Sequence, residues 1–576
     1  MAPPTSSGKA PRAWHILGLA VSIAIFSSPT IWTRYRADTP PFPLVTLVFA
    51  AVLALIVIGW PRVPKPSVRL DVSAGAIAAA LAALLLVGLG LHRWMDAMLW
   101  QPLDPSRGDM LVVVQAAIRA ALNGHDPYAM YQVPWEAPLP YGPVLWAPFV
   151  VPHVLRADLR LITIIGEAFV PICCAATAVV EGARGRLASA GAWLALLAAI
   201  VLSPDLVTFT TVGHTPSYWP LIPLFAVFVV AGQWNAAAVV LALLVAGRTT
   251  MISIVPMFFI AIWWRSRATL RSAILYFAVP LAVVILPFFL WNPATMWYGM
   301  VASYPKVMKG VVWVSSDGGV IRTIGITGWL LAHQLHAYVE VIQVLLLGAI
   351  YALAWHFIAH RGAQPLPWMA LALFGFSMTT LWPVYYVYFD VLLLFVSGAI
   401  AGTLQLTTSS TTIAKVWAAA LAATTTAVLA VFMLEASAFP VVDLAEGTSP
   451  ALYKGFVSAG DDLAGSAAIW GTEASLTIPR RSTSSAEIVM TAQPVIPAGS
   501  GPQAITAMLN GVPLATVTAG RGWSTIRLQP PASAWRAGSN RLDLHCASSS
   551  VPSEVGLGGE SRHLSLAIRR IEVVPR

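Results

Sequence analysis

The sequence is organised around the stretch SRGDMLVVVQAAIRAALNGHDPY, which runs from residue 106 to residue 128. A long apolar run precedes this stretch. The stretch itself begins with charged and turn-forming residues, continues as an apolar helix over 111–122, and ends in the turn-forming run 123–128. Asp109, at the start of the helix, is preceded by Gly108. This pattern predicts a polar loop with an acidic helix start, next to membrane-spanning helices.

The composition is that of a polytopic membrane protein. Hydrophobic residues make up 57% of the 576 residues, charged residues 10%, and the mean hydropathy is +0.74, whereas soluble proteins carry about 25% charged residues. The net charge of +9 therefore marks cytoplasmic loop ends and not a nucleic-acid partner. Three cysteines give no disulfide framework.

Apolar runs predict about 13 spans, since about 20 apolar residues cross a bilayer. The region 217–264 is divided at 232–235 and at 247–249 into three short spans, because polar and turn-forming residues interrupt it there. The other predicted spans are 14–33, 42–61, 73–92, 158–180, 187–203, 272–291, 335–358, 366–381, 384–402 and 413–435.

The basic loops predict the orientation, since Lys and Arg accumulate on cytoplasmic loops. With residues 1–12 as a cytoplasmic tail, every basic cluster falls inside, provided that 141–155 does not cross. That run contains Pro148 and Pro152, and we expect an outer-face or re-entrant helix; if it crosses, the downstream orientation inverts. The segments expected on the outer face are 93–157, 204–217, 292–334 and 381–386.

The composition changes at about residue 444, so the predicted membrane domain is 13–443 and a separate domain covers 444–576. Short stretches of partly alternating polarity are separated there by turn signals such as Asn510-Gly511 and 538–540, which is typical of an all-β sandwich. The predicted strands lie at 487–491, 504–509, 525–528, 541–545 and 564–568. The orientation places this β domain outside the cell.

Two residues stand out as candidates for chemistry. Asp109 is predicted to be a general base at the membrane surface; the alternative is a helix N-cap, a role that Asp fills well. Arg248 lies between two apolar runs, where an ionisable residue is costly and usually functional. Its guanidinium suits a phosphate group, and the alternative is a structural ion pair.

Further candidates lie on the outer segments. His214, Lys306 and Arg322 are candidate phosphate ligands, with contact to lipid headgroups as the alternative for the latter two. Candidate substrate-binding residues are His125, Asp126, Tyr128, Trp135, Tyr141 and Asp390. For these the alternatives are turn formation, membrane anchoring by aromatic rings, and, for Asp390, an ion pair with Arg248 or Arg322. Walker-type loops, zinc motifs and the Gly-x-Ser-x-Gly elbow are absent from the sequence.

The order of these motifs resembles the GT-C superfamily of membrane glycosyltransferases, in particular the family 87 polyprenyl-phosphate-dependent mannosyl and arabinofuranosyl transferases. The resemblance is carried by Gly108-Asp109 and its helix, by 123–128 and by 139–143. Tyr141-Gly142-Pro143 departs from the Tyr-Pro-Pro-like element of the family. Gly213-His214 looks like a replacement of its Gly-Gln element, and Arg248 looks like its later basic residue.

The resemblance implies an inverting transfer of a pentose or hexose, arabinofuranose or mannose first, from a polyprenyl-phosphate donor to a cell-envelope glycan or glycolipid. Asp109 would be the base and the cations would hold the donor phosphate. A divalent cation at Asp109 stays open, and no other cofactor is implied. The β domain resembles a carbohydrate-binding module. The alternatives are a transporter or flippase of lipid-linked substrates, another outer-face transferase or ligase, or an inactive scaffold that displays the β domain.

Overall fold

The protein consists of a helical membrane domain followed by an all-β domain. The structure is a computed structural model. It describes residues 13–26, 73–105, 108–133, 135–307, 309, 325–381, 387–404, 409–437, 441–444, 449–460 and 463–576. The predicted span 42–61 and the predicted ligand Arg322 lie outside the described residues.

The described residues of the membrane domain are largely helical. They are α1 (Ala13–Phe26), α2 (Ala74–Trp100), α3 (Met110–Leu122), α4 (Pro143–Trp146), α5 (Val150–Val154), α6 (Arg160–Ala183), α7 (Leu187–Val201), α8 (Pro204–Val212), α9 (Leu221–Val230), α10 (Trp234–Gly247), α11 (Val255–Arg265), α12 (Leu270–Trp291), α13 (Pro293–Trp297), α14 (Ser303–Val307), α15 (Gly325–Ala332), α16 (Val339–Arg361), α17 (Pro365–Met378), α18 (Val387–Leu404) and α19 (Ser410–Glu435).

Six helical segments of the described residues are long and apolar enough to cross a membrane. They are Ala74–Trp100, Arg160–Ala183, Leu187–Val212, Arg267–Trp291, His336–Arg361 and Ser410–Glu435. The count of about 13 spans is therefore not confirmed, because several predicted spans are helices of only 10–17 residues, shorter than the ~20 residues that a bilayer needs.

Two of the predicted breaks do occur. Region 217–264 forms α9, α10, and a 3₁₀ turn leading into α11, with the breaks at 231–233 and at Arg248. By contrast, 204–217 is not simply a polar loop, because α8 continues α7 up to Val212 after a single turn at Leu202-Ser203. The Ser203 side chain caps α8 by accepting from the N–H of Leu206, and Pro204 occupies its first turn, where proline is favoured.

The segment 101–159 returns to the end of the bundle from which it starts. The buried guanidinium of Arg160, at the start of α6, donates hydrogen bonds to the carbonyl oxygens of Met98 and Gln101, at the end of α2. Between them, 143–154 is broken into α4, a 3₁₀ turn and α5. Twelve helical residues reach only ~18 Å, so this segment lies at one end of the bundle, as the loop assignment required.

The β domain is a sandwich of two antiparallel sheets of six strands each. A small hairpin in the membrane domain contains β1 (Tyr131–Gln132) and β2 (Glu136–Ala137). The strands of the sandwich are β3 (Val441–Asp443), β4 (Leu452–Lys454), β5 (Phe456–Ser458), β6 (Ala467–Trp470), β7 (Glu473–Arg480), β8 (Ala486–Pro494), β9 (Gln503–Leu509), β10 (Val512–Pro513), β11 (Val517–Ala519), β12 (Ser524–Leu528), β13 (Gly538–Cys546) and β14 (Leu564–Pro575). One sheet has the order β10-β9-β13-β7-β4, with β11 beside β9, and the other has the order β12-β8-β14-β6-β5, with β3 beside β14.

The five predicted stretches lie in β8, β9, β12, β13 and β14, and the turn at Asn510-Gly511 joins β9 to β10. Both residues have positive φ, 52° and 80°, as this hairpin dipeptide favours. The turn predicted at 538–540 is wrong, since Gly538 begins β13 and pairs with Arg480 of β7. Strand β3 pairs with β14, so residues just before 444 already belong to the sandwich.

The β domain sits directly on the segment 101–159. The Asp158 N–H donates to the Ala537 carbonyl at 2.7 Å, and the Ala537 N–H donates to the Arg156 carbonyl at 3.0 Å. The Tyr453 hydroxyl donates to the Asp104 carboxylate at 2.7 Å. Both ends of the segment therefore contact the same domain, which places the β domain at the end of the bundle where Asp109 lies.

Candidate functional site

Asp109 is at the start of α3, but its side chain does not cap the helix. Its backbone has helical φ and ψ, and no backbone N–H donates to its carboxylate. Its Oδ2 instead accepts the indole N–H of Trp135 at 3.1 Å. Among the described residues it forms no ion pair. The N-cap alternative is thus not what the carboxylate does, and a half-buried carboxylate is left with one neutral donor.

Two glycines bring Asp109 close to the loop at the end of α8. A Cβ on Gly108 would lie 3.0 Å from the Val212 carbonyl oxygen. Gly213 has φ +74°, and a Cβ there would lie 2.8 Å from the Cβ of Leu111. Since neither position has room for a larger side chain, the start of α3 packs directly on 212–214.

Arg248 pairs with Asp390 across the bundle. Its Nε lies 4.0 Å from Asp390 Oδ2, and both side chains are almost buried. The other carboxylate oxygen, Oδ1, accepts the Tyr218 hydroxyl at 2.6 Å and the Trp219 indole N–H at 2.9 Å. A buried carboxylate needs such donors, so Asp390 is held in place and in turn positions the guanidinium.

Tyr304 connects Asp109 with Arg248. It lies on α14, in the third predicted outer segment. Burial raises the pKa of its phenol the most, Arg248 lowers it, and Asp109 raises it. Asp109 and Arg248 are therefore both close enough to the Tyr304 hydroxyl to act on its pKa. The sequence placed Tyr304 only in a long loop; in the structure it follows the π-helical turn 298–302.

The turn at Tyr141-Gly142-Pro143 docks on the end of α10, next to Arg248. The Gly142 N–H donates to the Gly247 carbonyl at 3.2 Å, and a Cβ on Gly142 would lie 1.9 Å from the Ala246 carbonyl oxygen. A proline at 142 has no N–H to donate. The departure from a Tyr-Pro-Pro-like element thus has a local reason, which is a close backbone contact that only glycine permits.

Several predicted substrate-binding residues build the loop instead. Asp126 accepts the Tyr128 N–H at 2.8 Å with Oδ1 and the Thr295 hydroxyl at 2.6 Å with Oδ2. The buried Tyr128 hydroxyl donates to the Tyr141 carbonyl at 3.0 Å. These contacts support the alternative of turn formation for Asp126 and Tyr128, because both are occupied in tying 123–146 to itself and to α13.

The remaining candidates of this loop differ in exposure. His125 is exposed, and its backbone N–H donates to the Ala120 carbonyl near the end of α3. Trp135 is 49% exposed and is the donor to Asp109. Tyr141 is buried. Of the predicted substrate-binding residues in the loop, Trp135 is therefore the one that both contacts the Asp109 carboxylate and is exposed.

His214 is less suited to phosphate than predicted. It is buried, and its ring stacks on Phe209 with centroids 4.7 Å apart. Burial lowers the pKa of His214 to about 3, and Arg248 also lowers it. A neutral imidazole brings no positive charge to a phosphate, so Arg248, which acts on His214, is the better phosphate candidate of the two. Lys306 is exposed, with its Nζ 5.5 Å from the centre of the Tyr298 ring.

The described residues contain no group of three or more His, Cys, Asp or Glu side chains placed to hold a metal ion. The donors to Asp390, Tyr218 and Trp219, were missed at the level of sequence. Their signal is a Tyr-Trp pair that precedes Pro220, which matters only once an acidic residue on α18 is known to face it. Comparison with family models, curated proteins and solved structures finds no match for this chain.

Proposed function

We propose that this protein is a membrane glycosyltransferase that moves a pentose or hexose, arabinofuranose or mannose first, from a polyprenyl-phosphate donor to a cell-envelope glycan or glycolipid. The observation that carries the proposal is that the loop containing Asp109 packs, through its 141–143 turn, on the end of α10 next to Arg248. Both charges also act on the pKa of Tyr304. A carboxylate that forms no ion pair among the described residues and a guanidinium that suits phosphate are the two groups that such a transfer needs.

The reaction uses both charges. Asp109 accepts the proton of the acceptor hydroxyl while that oxygen forms a bond to the anomeric carbon. The bond from the anomeric carbon to the phosphate oxygen breaks at the same time, and the electron pair leaves with the phosphate. Arg248 stabilises the charge that develops there, as cations in a site of low dielectric do. A single displacement inverts the anomeric centre.

The surrounding residues position these groups. The Trp135 indole N–H orients the Asp109 carboxylate through its hydrogen bond to Oδ2. Asp390, fixed by Tyr218 and Trp219, holds Arg248 near α14. The donor tail would lie among the apolar helices, and the outer face is the side of the membrane that the basic loops predict for these segments.

The test is transfer of radiolabelled sugar from polyprenyl-phosphate arabinofuranose or mannose in membranes that contain the protein. Asp109→Asn should lower transfer by about 100-fold or more, because a positioned base contributes about 10²–10⁴-fold. The matched control is Asp96→Asn, an exposed carboxylate on α2 that should leave transfer unchanged. Full activity of Asp109→Asn would sink the assignment. A flippase would move the lipid with its sugar still attached, which the same label reveals.

A further inference from the structure

A second polar site lies where the β domain meets α3. It is a cleft of about 470 Å³. One wall is α3, which contributes Val112, Gln115 and Arg119, and a second wall is the β domain, which contributes Arg536 among others. The three α3 residues are spaced by three and four positions, so they share one face of the helix. That face of α3 lines the cleft from Val112 to Arg119.

The cleft has an excess of positive charge. Five arginines and two aspartates line it. Two of the arginines are matched by the aspartates, as Arg160 pairs with Asp158 at 2.7 Å and Arg541 pairs with Asp543 at 2.7 Å. A third, Arg156, donates to a backbone carbonyl. Among the described lining residues, three arginines therefore have no carboxylate to match them.

These three are Arg156, which has its backbone carbonyl partner, and the pair Arg119 and Arg536. Within the described parts of the chain, neither guanidinium forms an ion pair or a hydrogen bond. His153 lies near both, since its pKa is lowered by burial first and then by Arg119 and Arg536. Burial lowers the pKa of Arg536 the most, Asp158 raises it, and Arg119 lowers it. Both guanidinium groups thus line one cleft without an ion pair or hydrogen bond of their own among the described residues.

Their charge matches a particular ligand. A phosphomonoester carries about −1.5 to −2 charges near pH 7 and offers three acceptor oxygens, and guanidinium groups bind such oxygens in pairs. A carboxylate or a phosphodiester carries one charge and would match only one of the two arginines. The charge count therefore favours a monoester.

The position of the cleft relates it to the acceptor. Pro102, Leu103 and Pro105, which precede Asp109, also line the cleft, and Arg119 lies ten residues along α3 from Asp109, a rise of ~15 Å. A ligand that fills the cleft from Arg119 therefore extends along α3 towards the proposed catalytic carboxylate. The donor, by contrast, must reach Arg248 from among the apolar helices.

We propose that this cleft binds a phosphomonoester group on the acceptor, with its oxygens between the guanidinium groups of Arg119 and Arg536. The assignment to the acceptor rests on the glycosyl transfer proposed above. The binding itself is a property of the cleft and is measurable without any transfer.

The test is calorimetric titration of the full-length protein, in nanodiscs of phosphatidylcholine, with arabinose 5-phosphate and with arabinose. The phosphate should bind and the unphosphorylated sugar should not. Arg119→Gln and Arg536→Gln should each weaken binding about tenfold or more, since hydrogen bonds to charged groups are the strong ones. Arg119 is exposed, so its replacement leaves folding intact. Arg527→Gln is the matched control, because Arg527 lies on β12, does not line the cleft and is paired with Glu487.

Equal binding by the two sugars, or full binding by both arginine variants, would overturn the proposal. A second arm uses nanodiscs that contain phosphatidic acid. If that lipid blocks the sugar phosphate in the original protein and fails to bind to Arg119→Gln, the cleft holds a lipid monoester and the assignment to the acceptor is overturned. Binding in the Asp109→Asn variant should be unchanged, so a failure of the proposed catalysis is recognised separately.

Discussion

Replacing Gly142 with alanine perturbs the contact that seats the 141–143 turn on the end of α10. The backbone of Gly142 has φ −72° and ψ 164°, which alanine adopts without strain, so the effect comes from space alone. The new Cβ would lie 1.9 Å from the Ala246 carbonyl oxygen, whereas real Cβ atoms essentially never approach below 3.0 Å. The two backbones must separate by about 1 Å, the difference between these two distances.

The expected cost has two parts. Forcing an extra methyl group into a packed contact costs about 1–3 kcal/mol. The hydrogen bond from the Gly142 N–H to Gly247, at 3.2 Å, would lengthen or break, which adds about 1 kcal/mol. A shift of this size next to Arg248 should also lower transfer by about 100-fold. Gly142→Pro should behave at least as badly, because proline removes the donor as well.

Thermal unfolding of the purified protein and transfer in membranes are the two measurements. Gly88→Ala is the control, since Gly88 lies inside α2 with nothing within 4 Å of a new Cβ, and alanine in a helix is favoured over glycine by about 0.5–1 kcal/mol. The reasoning fails if Gly142→Ala unfolds at the temperature of Gly88→Ala. It also fails if the variant is destabilised as expected and yet transfers sugar at the full rate.

Three further substitutions test the buried Arg248–Asp390 pair and the buried His214. Arg248→Gln should destabilise the protein by about 3 kcal/mol because it leaves Asp390 without its cation. Adding Asp390→Asn should restore the unfolding temperature in part but should not restore sugar transfer. Recovery of transfer in the double variant would contradict the phosphate role of Arg248. Since burial lowers the pKa of His214 to about 3, protonation opposes folding once the pH falls below ~6.5. His214→Phe should therefore remove a loss of about 2 kcal/mol between pH 6.5 and pH 5, and an unchanged acid response would refute it.

The sequence predicts the six long helices and five of the strands, because these depend on local patterns. Hydropathy located the six long helices, and the turn residues at 232 and 248 located the breaks within 217–264. Alternation found β8, β9, β12, β13 and β14. The other strands of the sandwich were missed. Most of these are only two to four residues long, and the longer β7 is buried over most of its length, so it lacks the alternation of a strand with one exposed face.

The candidate site was less predictable, because its geometry depends on contacts between distant residues. Asp109 and Arg248 were recognised individually as charges beside apolar segments. Their common neighbour Tyr304, and the donors that hold Asp390, come from α14 and from 218–219. Nothing near Asp109 in the sequence specifies these partners. The excess positive charge beside α3 likewise cannot be predicted from the sequence, since Arg536 is more than 400 positions away from Arg119.

The orientation of the chain downstream of 141–155 depends on whether that segment crosses the membrane. Arg160 binds the carbonyl groups at the end of α2, so α2 and α6 have these ends at the same level. Asp104 and Asp158, on either side of the segment, both contact the β domain. A crossing segment would separate those contacts by the thickness of a bilayer, ~30 Å. Within this fold, Asp109, the arginine cleft and the β domain must therefore lie on one side, whichever side the basic loops assign.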